Sequence, residues 1–277
     1  MVMTARNPER YDIYKDCSAF YHPDFQSFEV MLGSESPPFF STERVDAMLD
    51  GMTKIAHGEL TCSASLNFFV LRSGYPDVFN LGADLDMFYL LAEEKNRDKL
   101  RLYADKCVDL IHYLYHGINK SITTISLVEG DCIGGGFEAA LACDYLIATE
   151  SSNFSFPEIK LGIFPGMGAA SIMSRVLRKG DYQRIFLSGE MFSAQQLFEM
   201  GLVSQVVPDG QGEYALRAFL KRMNTPACYQ LSRIYKYSKM LPISELHFFA
   251  EQWVEGIMNL NRRQLALIAY AATQQRT

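Results

Sequence analysis

Residues 122–150, ITTISLVEGDCIGGGFEAALACDYLIATE, carry the pattern that decides the fold. Ile122 to Val128 is a short β-branched and apolar run, the signature of a buried strand. A turn follows at Glu129 and Gly130, then the cluster Gly134, Gly135 and Gly136, then a short helix opening at Phe137 and Glu138, and a second strand at Tyr145 to Ala148. This succession is a βαβ rhythm and predicts an α/β fold.

The same logic extends outward. Upstream, Leu66 to Leu71 (LNFFVL) is another compact strand, preceded by a helix over 43–57 whose Val45, Met48, Met52 and Ile55 share one stripe. Phe28, Val30 and Leu32 alternate with Glu29 and Met31 and predict an early hairpin within 11–33. RSGYPDVFNLGADL (72–85) reads as a loop punctuated by Gly74, Pro76 and Gly82. A long helical stretch follows, with Tyr103, Cys107, Leu110, Ile111 and Leu114 at helical spacing, and its charged portion AEEKNRDKLR (92–101) reads as a solvated face. Downstream, SAQQLFEMG is a Ser193-capped helix ended by Gly201, VSQVVP is a short strand, and 213–271 is largely helical. The final helix carries Leu246, Phe249, Ala250, Trp253, Ile257 and Leu260 on one face. The expected organisation is a mixed core over 1–212, with a hairpin region in 1–40, and a helical C-terminal region over 213–277.

Composition narrows the function. The 277 residues suit one large domain, and 48% hydrophobic with 21% charged residues excludes disordered, collagen-like and disulfide-scaffold classes. A net charge of −6 leaves no basic footprint for nucleic acid. No apolar run approaches the ~20 residues of a membrane helix. The opening stretch MVMTARNPERYDIYKDC mixes both charges with no apolar segment, so it reads as neither a secretory nor a transit signal and predicts a cytoplasmic protein. Six cysteines, at 17, 62, 107, 132, 143 and 228, form no CxxC pair, and the five histidines stand at no ligand spacing to them. Reduced, mostly buried thiols and no metal site are expected.

The glycine cluster is the first candidate for chemistry. It lets backbone approach a ligand closely, with N–H groups exposed at the positive end of a helix, a place for developing negative charge. It matches neither the phosphate-binding P-loop nor a dinucleotide fingerprint. By itself the cluster is equally a tight turn packed on a neighbour. Two acids lie near it in sequence: Glu138 in the first turn of the helix, and Glu158 in FPEIKLGIFPGMGA, a lone carboxylate among Phe156, Ile159, Leu161, Ile163 and Phe164. A glutamate in such company is ordinarily a distant salt-bridge partner, but a second carboxylate beside an anion-binding turn suggests acid–base work.

FNLGAD, GGGFEAAL and FPEIKLGIFPGMGA, in this order and spacing, resemble the signature segments of the crotonase (enoyl-CoA hydratase/isomerase) superfamily. In its hydratases two glutamates stand 20 positions apart, as Glu138 and Glu158 do here. The resemblance implies a crotonase-like ββα superhelix core with a helical C-terminal region, often assembled as a trimer. VFNLGADL, VEGDCIGGGFEAALACDYLIA, LGIFPGMGA, AQQLFEMGLVSQVVPDGQG and the WV of EQWVEG are further similar to the diffusible signal factor synthases, which make cis-2-unsaturated fatty acids for quorum sensing.

That resemblance implies a set of roles. Glu138 and Glu158 form the acid–base pair, and the backbone N–H groups of Ala83 and Gly135 form the hole for a thioester enolate. Gly82, Gly134, Gly136, Phe137, Phe164, Pro165, Gly166, Met167 and Trp253 bind substrate, with Met167 and Trp253 lining a long acyl pocket. No cofactor is needed. The implied substrate is a medium-chain 3-hydroxyacyl thioester of acyl carrier protein or CoA, dehydrated and then hydrolysed. An acidic carrier protein needs a basic docking surface, and Arg175, Arg178, Lys179 and Arg184 are the densest basic cluster, though such a cluster is more often a solvated helix end. Two other readings stand beside this one: an ordinary enoyl-CoA hydratase and a non-catalytic acyl-thioester-binding regulator.

Overall fold

The computed structural model describes residues 7–14, 17–33, 36–60 and 66–275. The chain runs β1 (Glu9–Tyr14), β2 (Cys17–His22), β3 (Ser27–Leu32), α1 (Thr42–Ala56), β4 (Phe68–Ser73), β5 (Val78–Asn80), α2 (Leu85–Glu93) and α3 (Arg97–Lys120). Next come β6 (Thr123–Val128), β7 (Asp131–Ile133), α4 (Gly135–Ala142), β8 (Tyr145–Thr149), β9 (Asn153–Ser155), α5 (Glu158–Leu161), α6 (Ala169–Ser174) and α7 (Lys179–Ser188). The last elements are β10 (Met191–Ser193), α8 (Ala194–Glu199), β11 (Gln205–Val207), α9 (Gly212–Met223), α10 (Pro226–Ser238), α11 (Ile243–Met258) and α12 (Arg262–Gln274).

A seven-stranded sheet has the order β1-β2-β3-β4-β6-β8-β11. The first three strands are antiparallel, as the alternation in 28–32 predicts, and the rest pair in parallel. A smaller sheet, β10-β9-β7-β5, is parallel except at β10. Each of β4, β6 and β8 is followed by a short strand of the second sheet and then by helix, so the chain winds as successive ββα turns. This is the expected superhelix. Side-chain alternation explains why both faces of the large sheet are covered: Phe69 and Leu71 enter the main core under α1 and α3, whereas Phe68 and Val70 join Ile125, Leu127 and Ile147 against Leu216, Phe219 and Leu220 of α9. Every residue of β6 is buried, and its Thr124 and Ser126 hydroxyls are satisfied there by donating to the Leu114 and Ala140 carbonyls.

Several expectations are corrected. The 72–85 segment is not all loop, because Val78–Asn80 forms β5. The helical stretch after it is two helices, separated where Lys95 takes φ 53° and Asn96 caps α3. Its charges are not simply solvated: Arg97 pairs with Glu251 and Glu255, and Arg101 with Asp105 and Glu251, tying α3 to α11. The apolar stripe from Leu246 to Ile257 belongs to the penultimate helix, α11, and Leu260 lies just past its end. Asn261 then starts α12 with a capping box to Gln264. The basic cluster is largely spent locally, Arg175 on Glu245, Arg178 on Asp181 and Arg184 on Glu190. Cys17, Cys107, Cys132 and Cys143 are buried free thiols and Cys228 is partly exposed, while Cys62 lies outside the described residues. Among the described residues no helix is long and apolar enough to cross a membrane.

Candidate active site

A cavity of about 70 Å³ opens where the β5–α2 loop, the start of α4, the α5 segment and α11 meet. Gly82, Ala83, Gly134, Gly135, Glu138, Glu158, Gly166, Met167 and Trp253 all line it. Residues spread over 170 positions of sequence are thus brought to one apolar chamber.

The loop that carries Ala83 shows where its backbone groups are used. Leu81 N–H donates to Pro38 O (2.7 Å), and Gly82 N–H to the Asn80 side-chain oxygen (2.8 Å). Gly82 O accepts from Phe40 N–H (2.7 Å), and the carbonyls of Leu81 and Ala83 accept from Gln275 Nε2 (2.9 and 3.0 Å). Among the described residues this leaves Ala83 N–H as the one backbone group of 81–83 without a protein partner. Gly135 N–H, the first of α4, is likewise unspent, since a helix start leaves its leading amides free. The two nitrogens are neighbours: a Cβ on Gly82 would stand 3.2 Å from Gly135 N, and one on Gly135 would stand 3.8 Å from Ala83 N. Two unspent donors side by side at an apolar cavity are the kind of groups an enolate oxygen requires.

Glu138 lies one helical turn beyond Gly135, on the same face of α4. Its Oε1 accepts from the N–H groups of Met167, Gly168 and Ala169, each at 2.9 Å. The FPGMGA segment is therefore wrapped around this carboxylate, with Gly168 at φ 136° turning its amides inward. Burial pushes Glu138 up to about 7, and those amides keep it from rising further.

Glu158 begins α5 and points back toward Gly134. Its Oε2 is enclosed without a hydrogen-bond partner. Burial first, and the Glu138 carboxylate second, push it up to about 8. Two neighbouring buried carboxyls cannot cheaply ionise together, an electrostatic setting in which one protonated and one ionised carboxyl can coexist.

The walls are apolar. Trp253 stands edge-on to Phe88, ring centroids 4.8 Å apart, and covers Gly166 so closely that a Cβ there would strike the indole. Met167 crosses Gly135, its sulfur 2.9 Å from where a Cβ would sit. Four residues implied as substrate-binding fall outside the lining. Phe137 is fully buried between Phe154 and Phe156, centroids 5.1 and 4.7 Å away, because one residue along a helix turns a side chain by about 100° from Glu138. Gly136 packs on Asn80, Phe164 packs partly buried against the main core, and Pro165 is not among the lining residues. Conversely, Phe88, Tyr103, Cys107 and Gln275 line the cavity without having been singled out as site residues. Tyr103 and Cys107 were visible only as a helical core stripe, and nothing local marks Gln275. Burial pushes the Cys107 thiol up to about 12, so it is no nucleophile at neutral pH.

Comparison with known proteins agrees with this architecture. The family described as enoyl-CoA hydratase/isomerase matches residues 46–242. A probable enoyl-CoA hydratase of Rhizobium meliloti is 29% identical over 209 residues, covering 74% of this chain and 78% of that protein. The fatty acid oxidation complex subunit alpha of Aliivibrio fischeri is 29% identical over 61% of this chain, which spans 25% of that longer protein. Human mitochondrial delta3-delta2-enoyl-CoA isomerase superposes with a TM-score of 0.77 over 95% of this chain and 100% of the other at 18% identity, a likeness of fold. With the fold, the twin carboxylates and the sequence match in agreement, the chain belongs to the enoyl-CoA hydratase/isomerase family.

Proposed function

We propose that this enzyme dehydrates 3-hydroxyacyl thioesters and hydrolyses the product to a free cis-2-unsaturated fatty acid of the diffusible signal factor type. The observation that carries the chemistry is the pair Glu138 and Glu158, both raised toward neutrality, beside two unspent backbone donors. One carboxylate removes the α-proton and the C–H electron pair moves onto the thioester oxygen, held between Ala83 N–H and Gly135 N–H. The enolate then collapses back to the carbonyl, its electron pair forming the C2=C3 bond as the C3–O bond breaks, and the departing hydroxyl takes the other carboxyl's proton and leaves as water. Each donor to the enolate is worth about 3 kcal/mol in a dry site. In the second step a carboxylate takes a proton from water as its oxygen adds to the carbonyl, and the carrier thiol departs protonated while the same two N–H groups hold the oxyanion.

Gly82, Gly134, Gly166, Met167 and Trp253 frame the acyl group, and Met167 is the adaptable part of that wall because a thioether has no fixed shape. CoA suits the carrier better than acyl carrier protein, since Arg175, Arg178 and Arg184 are engaged by neighbouring acids. A cytoplasmic homotrimer is the assembly the family resemblance supports, and oligomerisation would cover Leu231 and Ile234, exposed on α10.

An ordinary reversible enoyl-CoA hydratase is the second reading, favoured by the similarity to the Rhizobium meliloti protein. Incubation with medium-chain 3-hydroxyacyl thioesters of CoA and of acyl carrier protein, with products assigned cis or trans by mass spectrometry and chromatography, separates the two. A free cis-2-enoic acid supports the proposal. An intact trans-2-enoyl thioester selects the hydratase, and binding without turnover of either substrate selects the regulator.

A further inference from the structure

Gln275 reaches the site from the far end of α12, 190 or more positions from the loop it touches. Its Nε2 donates to Leu81 O at 2.9 Å and to Ala83 O at 3.0 Å, and its Oε1 accepts from Leu85 N–H at 3.3 Å. Two carbonyls and one amide of the loop demand two donors and one acceptor from a single side chain. A primary amide supplies that set, and a carboxylate does not. The three bonds flank Ala83, whose N–H is the loop's unspent donor. Gln275 also lines the cavity itself.

We propose that Gln275 is a positioning residue that, by bracing the peptides on either side, keeps the Ala83 N–H directed into the cavity. Pro38 and Phe40 hold Leu81 N–H and Gly82 O. Asn80 Oδ1 holds Gly82 N–H, and Gln275 adds the second anchor of that peptide at Leu81 O together with the hold on Ala83 O and the Leu85 amide, so without it the peptides on either side of Ala83 N–H lose anchors on the cavity side. The loosened loop holds the donor less firmly on the developing charge while leaving the apolar chamber intact. The inference rests on the reading of Ala83 N–H as an oxyanion donor, and it makes α12 a part of the active site.

The test uses the full-length enzyme and the variants Gln275→Met, Gln275→Glu and Thr273→Ala. Thr273 lies on the same helix end, with its hydroxyl donating to Tyr270 O at 2.7 Å. Methionine keeps the side-chain length and removes all three bonds. Glutamate keeps the shape and the acceptor but turns a second oxygen toward two carbonyls. Both should lower kcat by about 10- to 100-fold with KM within about 2-fold, while Thr273→Ala stays at the wild-type value. A helix-docking role alone would move kcat and KM of the two Gln275 variants together with Tm. Unchanged kcat in both Gln275 variants overturns the proposal. Amide exchange decides independently of turnover. The Leu85 amide should exchange at least about 10-fold faster in Gln275→Met than in the wild type, a difference of about 1.4 kcal/mol in local opening, and equal rates refute the clamp. If the wild type turns over no acyl thioester while the exchange difference is present, the functional reading fails and the clamp stands.

Discussion

Glu158 stands against Gly134 so closely that a Cβ on the glycine would lie 2.8 Å from Glu158 Oε1. The glycine cluster therefore has a second purpose beside freeing an N–H: it leaves room for the second carboxyl at the mouth of the oxyanion site. Gly134 also holds φ 53°, where a side chain is strained. Gly134→Ala should lower kcat by about 100-fold, by displacing the carboxyl a few tenths of an ångström or more, with a Tm loss of only a few degrees. Steady-state kinetics and a melting curve check both parts.

The carboxyl pair sets the pH dependence. Activity needs one proton on the pair, so kcat should rise as pH climbs toward about 7 and fall again above about 8, a narrow bell. Glu138→Gln and Glu158→Gln should each reduce turnover by about 10²–10⁴-fold while acyl-thioester binding, read by calorimetry, is retained. A broad plateau over pH 5–9 in the wild type would contradict the shared proton.

The same shifts act on stability. The folded pKa of Glu158 lies far above its ordinary 4.5, so between 4.5 and about 8 the unfolded chain releases a proton that the folded chain keeps, and stability falls as pH rises. Replacing Glu158 by glutamine removes that cost. Glu158→Gln should melt higher than the wild type at pH 8.5, by several degrees, with the gap closing as pH approaches 4.5. Thermal melts across this range check the sign.

A second buried charge lies outside the site. Lys236 of α10 meets Asp144 at 2.6 Å, both side chains almost wholly buried, and Asp144 also accepts from the Thr124 amide and hydroxyl at 2.8 and 3.1 Å. Lys236→Met strands that carboxylate and should cost about 3–5 kcal/mol. The double variant Lys236→Met/Asp144→Asn should recover a large part of the loss, which denaturant titration will read.

Trp253 closes the chamber against Phe88 and Gly166. Trp253→Ala should destabilise by about 3–5 kcal/mol and shift acyl preference toward longer or bulkier thioesters, because the space it vacates adjoins the reacting carbons. Competition between short and long acyl-CoA substrates measures the shift.

What the sequence alone determined is local. The βαβ rhythm, the capped helix at Ser193 and the glycine turn rest on side-chain periodicity and backbone freedom, which act over a few residues and are written in neighbouring letters, while the 20-position spacing of the two glutamates carried meaning only through the family resemblance. The tertiary structure decided which of these groups meet. Phe137 and Glu138 are adjacent in sequence, yet helical rotation sends one to the core and the other to the cavity. Glu138 owes its hydrogen bonds to amides 29 to 31 positions away, and the loop bearing Ala83 is held by Gln275 across more than 190. No short-range pattern encodes such partners, because long-range pairing follows from the packing of the whole core, and only there are two carboxyls buried within reach of each other's charge.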